Sequence, residues 1–251
     1  MATLLIVGLD AAADLNNFGY VVCRFTRGRL ELLAADVLGA LARVKEIVGD
    51  HRHDDSKVLL AIDAPLGWPT ALGEALQAHQ AGEAIDVEPN DLFRRVTDKA
   101  TKALVGKQPL DVGADRIARS AWRALNVLAE FRRCSGERIP LAMSPDFAGR
   151  MAVIEVYPAA TLQAWGTTSS GYKGSDEGGA TARGAIGRTF AERAPWLRGL
   201  VDNDVNVFDA GLCAIAAADF IEGLAVPPGD SDARAAQREG WIWVRRPPRC
   251  G

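Results

Sequence analysis

The sequence predicts an α/β fold: a mixed five-stranded sheet of strand order 3-2-1-4-5, flanked by helices, with a helical insertion between the fourth and fifth strands. Three observations carry this. Short apolar runs such as Ile6-Val-Gly-Leu-Asp10, Leu59-Leu-Ala-Ile-Asp63 and Val153-Ile-Glu155 are bounded by turn residues and read as buried sheet strands. Each ends on an acid. Three strand-like runs near the start are joined by short turns, whereas later strands are separated by long helical stretches.

Residues 3–10 read as the first strand. Asn16-Asn17 marks a turn before a second strand from Phe18 to Phe25, and Arg27-Gly28 a tight turn before a third from Arg29 to Ala35. Asp36 is placed to cap a helix from Val37 to Val48, whose apolar residues recur at helical spacing, with Gly49 as its stop. A fourth strand covers Lys57 to Asp63. Residues 64–150 break this rhythm. Pro65-Leu-Gly-Trp-Pro69 interrupts regular structure, and helical patterns follow at about 71–82, 91–105 and 114–134. The segment reads as an insertion able to form a lid. Met151 to Val156 is a fifth strand, closed by Tyr157-Pro158. The Gly-, Ser- and Thr-rich residues 166–188 read as a mobile surface loop. Asp204 or Asn206 then caps a helix to about Glu222, and Gly240 to Val244 reads as a last short strand. A meander followed by parallel additions through right-handed crossovers is the order of an RNase H-like fold, expected as one domain over residues 1–251.

Composition excludes several classes. At 48% hydrophobic and 24% charged, the chain is an ordinary globular one, and its net charge of -3 argues against a general nucleic-acid coat. No run of eighteen apolar residues exists, and Met1-Ala-Thr lacks the positive start of a signal peptide, so a reducing cytoplasm with no membrane partner is expected. Cys23, Cys134, Cys213 and Cys250 form no C-x-x-C pair, and His51, His53 and His79 lie in polar surroundings, so neither set suggests zinc. Phosphate-loop, dinucleotide-fingerprint and nucleophile-elbow motifs are absent.

The acids are the chemical signal. A carboxylate closing a strand sits at the sheet's C-terminal edge, where open α/β sheets bind ligands. Asp10 and Asp63 would close parallel neighbours about 4.8 Å apart. Asp209, on an Ala-rich helix able to approach the sheet closely, and Glu155 complete the candidate set, read as ligands of Mg²⁺ or Mn²⁺. Glu155 has an alternative role as partner to a basic residue of the insertion. Asp14 and Asp204 read as surface or capping residues. From 94 to 133 ten cations face four acids, an excess suited to a phosphate-bearing substrate. Arg94 and Arg95 are the preferred phosphate contacts, followed by Arg116 and Arg119. Trp68 is a candidate base platform or a plug, and Lys173, beside Tyr172, could close over a phosphate. Trp241 and Trp243 read as packing residues.

The segments Ile62-Asp-Ala-Pro-Leu-Gly-Trp-Pro69, Phe93-Arg-Arg-Val-Thr-Asp98, Glu155-Val-Tyr-Pro158, Asp209-Ala-Gly-Leu-Cys-Ala-Ile-Ala-Ala217 and Arg238-Glu-Gly-Trp-Ile-Trp243 resemble domain-of-unknown-function family 429. The resemblance runs through nearly the whole chain and implies an RNase H-like nuclease acting on nucleic acid or a small phosphorylated substrate. Two other readings stay open: a nucleotide phosphotransferase or hydrolase on an actin-like variant of the fold, and a non-catalytic module binding nucleic acid or protein. The first wants a Gly-rich loop after the first strand, where Ala11-Ala-Ala-Asp14 stands instead.

Overall fold

A computed structural model describes residues 4–50, 57–113, 115–202 and 204–248. The expectations for Met1-Ala-Thr, His51, His53 and Cys250 lie outside the described residues. Strands β1 (Leu4–Asp10), β2 (Gly19–Thr26) and β3 (Arg29–Val37) form the antiparallel meander. Helix α1 (Ala42–Asp50) leads to β4 (Lys57–Asp63), which pairs parallel with β1. The insertion carries α2 (Thr70–Leu76), α3 (Pro89–Phe93), α4 (Val96–Val105) and α5 (Asp115–Ser135). It returns through β5 (Met151–Glu155), parallel to β4. Helices α6 (Pro158–Ala164), α7 (Glu177–Thr189), α8 (Val205–Ile221) and α9 (Ala233–Glu239) follow. The strand order is β3-β2-β1-β4-β5, as predicted.

The strands split their side chains between two cores by their period of two. Ile6, Leu59, Ala61 and Ile154 face one side with Phe208, Leu212 and Ile215 of α8. Val7, Leu9, Leu60, Ile62 and Val153 face the other with Val44 and Ile47 of α1 and Val127, Leu128 and Phe131 of α5. Burying each such Val, Leu, Ile or Phe side chain contributes roughly 1.5–3 kcal/mol. Helix α8 is buried from Val207 to Phe220, so it is a central element with protein on both sides. Its close seating needs Gly8, where a Cβ would stand 2.1 Å from the Ala210 carbonyl oxygen.

Four expectations change. The helix after β3 starts at Ala42 rather than Val37, because β3 runs on to pair Val37 with Gly19, and Leu38 N–H bonds the Phe18 carbonyl. The insertion is no detachable lid: the inner face of α5 packs into the second core with Ala124, Val127, Leu128 and Phe131. Residues 166–188 are not a free surface loop. Tyr172 is buried there, residues from Glu177 form α7, and Arg183 donates to the carbonyls of Tyr172, Gly174 and Val201. Finally, Gly240–Val244 makes only an isolated bridge between Ile242 and Glu155. Trp241 and Trp243 are buried as expected, and Asp14 and Asp204 each cap a helical turn.

Candidate active site

Strand register creates the site. Because β1 and β4 run parallel with Leu4 opposite Lys57, their last residues Asp10 and Asp63 come opposite each other. Helix α8 crosses this edge and brings in Asp209, 1% exposed. The three acids share an electrostatic environment. Burial raises the Asp10 carboxyl well above its ordinary value, with Asp209 and Asp63 adding to the effect. Burial likewise pushes Asp63 up to about 7, against the opposing pull of Lys173. Asp209 is raised by burial and partly held down by Lys173, whose Nζ lies 2.5 Å from its Oδ2. For Lys173, burial acts to lower the pKa, but the three aspartates outweigh it and hold the ammonium charged.

Lys173 reaches the acids from the short Gly171–Gly174 turn, and the ring of the preceding Tyr172 packs against Phe208. The Tyr172 hydroxyl and both Asp209 oxygens are buried without an aligned hydrogen bond among the described residues. Buried polar atoms left this way are uncommon and call for a missing partner.

Glu155 ends β5 one strand further along, opposite Ile62, but its carboxylate does not join the three aspartates. Arg95 takes it instead. All five Arg95 donors are used: Nη1 and Nη2 on Glu155 at 2.8 and 2.6 Å, Nε and Nη2 on Asp98 at 3.2 and 2.9 Å, and Nη1 on the Glu239 carbonyl at 3.0 Å. Glu155 Oε2 also accepts from the Leu66 N–H, fixing the turn three residues after Asp63. Gly240 completes the packing, since φ of +89° and a Cβ only 2.6 Å from Glu155 Oε2 would both penalise another residue. The expectation of Arg95 as a phosphate contact therefore gives way. It is 1% exposed and committed to protein carboxylates.

The other predicted contacts scatter. Arg94 pairs with Asp111 at 3.3 Å, and Arg119 with Asp115 at 3.5 Å on the exposed face of α5. Arg116 is exposed on the same helix, and neither it nor Arg119 lines the cavity above the aspartates. Trp68 lines a separate depression with Gly73, Glu74 and Arg238. The cavity over Asp10 and Asp63, about 450 Å³, is bounded by Arg95 and Glu155 on one side and by the loop after α4, the start of α5, Tyr157 and Lys173. Sequence reasoning missed Lys107 and Leu110 there, although Lys107 was counted in the basic stretch; a cation between Gly106 and Pro109, in a turn, was the available signal.

The residues suit a hard divalent cation in donor chemistry: three carboxylates, with neither Asp209 oxygen in an aligned hydrogen bond and Lys173 against Oδ2. Among the described residues, however, no three His, Cys, Asp or Glu side chains stand grouped around one ion position. Lys173 supplies the positive charge at Asp209 in this arrangement.

An open five-stranded α/β sheet with an acidic cavity at the C-terminal ends of β1 and β4 defines the class of protein. Within that class, a family model described as a protein of unknown function (DUF429) matches residues 8–233, and the chain belongs to this family. No curated protein and no solved structure gives a significant match. Among the described residues no helix is long and apolar enough to cross a membrane.

Proposed function

We propose that the protein is a divalent-metal-dependent nuclease of the RNase H-like kind, hydrolysing a phosphodiester bond at the Asp10–Asp63–Asp209 edge. One observation carries this reading: three aspartates from three separate chain segments are held together under burial with a single ammonium against them. Clustered carboxylates raise one another's pKa and are costly unless a cation is needed there. Mg²⁺ or Mn²⁺, when bound, supplies Lewis acidity toward the phosphate and lowers the pKa of a water. Asp10, Asp63 and Asp209 would hold it. Asp63, the half-buried member, faces the cavity and would present its carboxylate to the metal there. Arg95 and Glu155 act one step back. Through Leu66 they hold the chain that leaves Asp63 and keep that side chain in place.

The test is Mn²⁺-dependent cleavage of labelled RNA, DNA and hybrid strands by wild type beside Asp63→Asn. The expected loss is at least about a hundredfold. Equal cleavage by the variant removes Asp63 from the chemistry. Absence of cleavage by wild type on every substrate removes the nuclease reading.

A further inference from the structure

The basic insertion supplies far fewer free cations than its composition suggests. Seven of the ten between residues 94 and 133 are engaged within the protein. Arg94, Lys99, Arg119 and Arg133 pair with nearby acids. Arg95 is buried on Glu155 and Asp98, while Arg123 and Arg132 donate to the carbonyls of Ala13 and Ile139. Lys102, Lys107 and Arg116 have no ion partner among the described residues, and of these only Lys107 lines the cavity over the aspartates.

Lys107 stands on the strap between α4 and α5. Gly106, at φ +74°, ends α4 and turns the chain toward the cavity. Buried Pro109 anchors the middle of the strap, and the Arg94–Asp111 pair pins its far side. Between these anchors Leu110 is 67% exposed at the cavity wall. A large apolar side chain held in water beside a cation and above an acidic edge fits a ligand with a charged end and a flat apolar body. Pro65, Ile117 and Tyr157 extend the same apolar wall.

Size selects further. A cavity of about 450 Å³ lies in the range of small-ligand sites and holds one nucleotide unit. Walls contributed by the strap, α5, the Tyr157 turn and the Lys173 turn surround Asp10 and Asp63 on several sides. A continuous duplex needs an open track along which its paired backbone can lie. We propose that the site takes a single unpaired, nucleotide-scale phosphorylated unit, with Lys107 as its phosphate contact and Leu110 against its apolar body. This rests on the phosphodiester reading above for the chemistry, but its recognition step can be tested separately. The unit has two sources, a free nucleotide or the unpaired end of a strand.

The experiment titrates full-length Asp63→Asn protein calorimetrically in Mn²⁺ with thymidine 5′-monophosphate, a short single-stranded thymidine oligomer and a blunt duplex. The expected result is saturable binding of one or both unpaired probes and none of the duplex. Tighter binding of the oligomer assigns the strand end, and tighter binding of the monophosphate the free nucleotide. Adding Lys107→Ala should weaken binding about tenfold, as loss of one charge-assisted hydrogen bond does, while Arg116→Ala leaves it unchanged. Leu110→Ser, on an exposed position, should weaken it severalfold with no change in melting temperature. Duplex binding as tight as that of the unpaired probes overturns the inference, as does binding indifferent to both Lys107→Ala and Leu110→Ser. Cleavage of duplex by wild type without affinity for either unpaired probe overturns it while keeping the nuclease. Lys107-dependent binding by a wild-type chain that cleaves nothing does the reverse.

Discussion

Glu155 and Asp63 end neighbouring parallel strands, yet the acid clusters they belong to are neutralised differently. Around Glu155 the accounting closes. Arg95 spends every donor, and the carboxylates of Glu155 and Asp98 are both bidentately met. A third buried acid, Asp219, accepts hydrogen bonds from Arg245 and the Trp165 indole N–H and is ion-paired with Arg193. Around Asp63 it does not close. Three aspartates share one lysine, which reaches in from a partly exposed position, and Asp209 keeps two oxygens without an aligned donor. One sheet edge thus carries a structural acid cluster and an under-compensated one. Charge deficit, more than the mere presence of buried acids, distinguishes the site from its support.

The largest expected effect comes from breaking the satisfied cluster. Arg95→Met leaves Glu155 and Asp98 buried without a counter-charge, a loss of about 3–5 kcal/mol in stability. Chemical denaturation measures it. Because Arg95 ties α4 to β5 and to the end of α9, the transition midpoint should fall steeply. A loss under about 1 kcal/mol would mean that the cluster is better hydrated than its burial implies, and the contrast between the two acid groups would collapse.

The under-compensated cluster should behave in the opposite sense. Asp63 moves from an ordinary 3.8 to about 7 in the folded protein. Between those values the folded state keeps a proton that the unfolded chain has released, so stability from this group is present at the acid end and is lost as pH rises through about 7. Metal-free protein should therefore melt at progressively lower temperature across that window. Asp63→Asn should flatten the decline and add roughly 0.5–2 kcal/mol near neutral pH, the usual gain when a strained active-site group is relieved. Calorimetric melting against pH, with and without Mn²⁺, reads both. A metal-free slope of the opposite sign would show that the aspartates are already compensated.

Much of this contrast was legible in the sequence, and the rest had physical reasons to hide. Apolar runs ending on acids gave the strands, and the parallel placement of the first and fourth followed from the order of elements. Hence Asp10 and Asp63 were correctly placed opposite each other. The Ala-rich run around Asp209 likewise foretold a helix seated closely on the sheet. That Glu155 could meet a base of the insertion was legible, but which base was not. Glu155 and Arg95 are sixty residues apart, and whether a strand-end carboxylate turns to a metal or to a guanidinium depends on tertiary register alone. The same limit applied to residues 94–133, where composition counts ten cations but cannot show that seven are already engaged. Glycines misled around residue 175. Gly179 reads as a loop residue, yet it allows the first turn of α7 to sit on Gly174, where a Cβ would stand 2.0 Å from the carbonyl oxygen.

Lys173 sharpens the comparison next. If its ammonium holds the place of a divalent cation, Lys173→Met should lower the metal-free melting temperature and tighten Mn²⁺ binding about tenfold, since one competing charge leaves the three aspartates. Titration calorimetry with Mn²⁺ alone gives the answer without reference to turnover. Weaker Mn²⁺ binding in the variant would place Lys173 as a brace for Asp209 rather than as a competitor for its oxygens.

The smallest effect belongs to the ion pairs on the outer face of α5. Arg119 and Asp115 lie one turn apart at 3.5 Å with both side chains mostly in water, a geometry in which attraction, desolvation and side-chain entropy nearly cancel. Arg119→Ala should therefore change stability by no more than about 0.5 kcal/mol and leave cleavage and nucleotide binding alone. Denaturation of the variant, run beside its cleavage assay, checks both halves. A clear loss of cleavage with stability unchanged would mean that substrate extends over the exposed face of α5. That result would favour a long nucleic acid crossing the insertion over a single unit held beneath its strap.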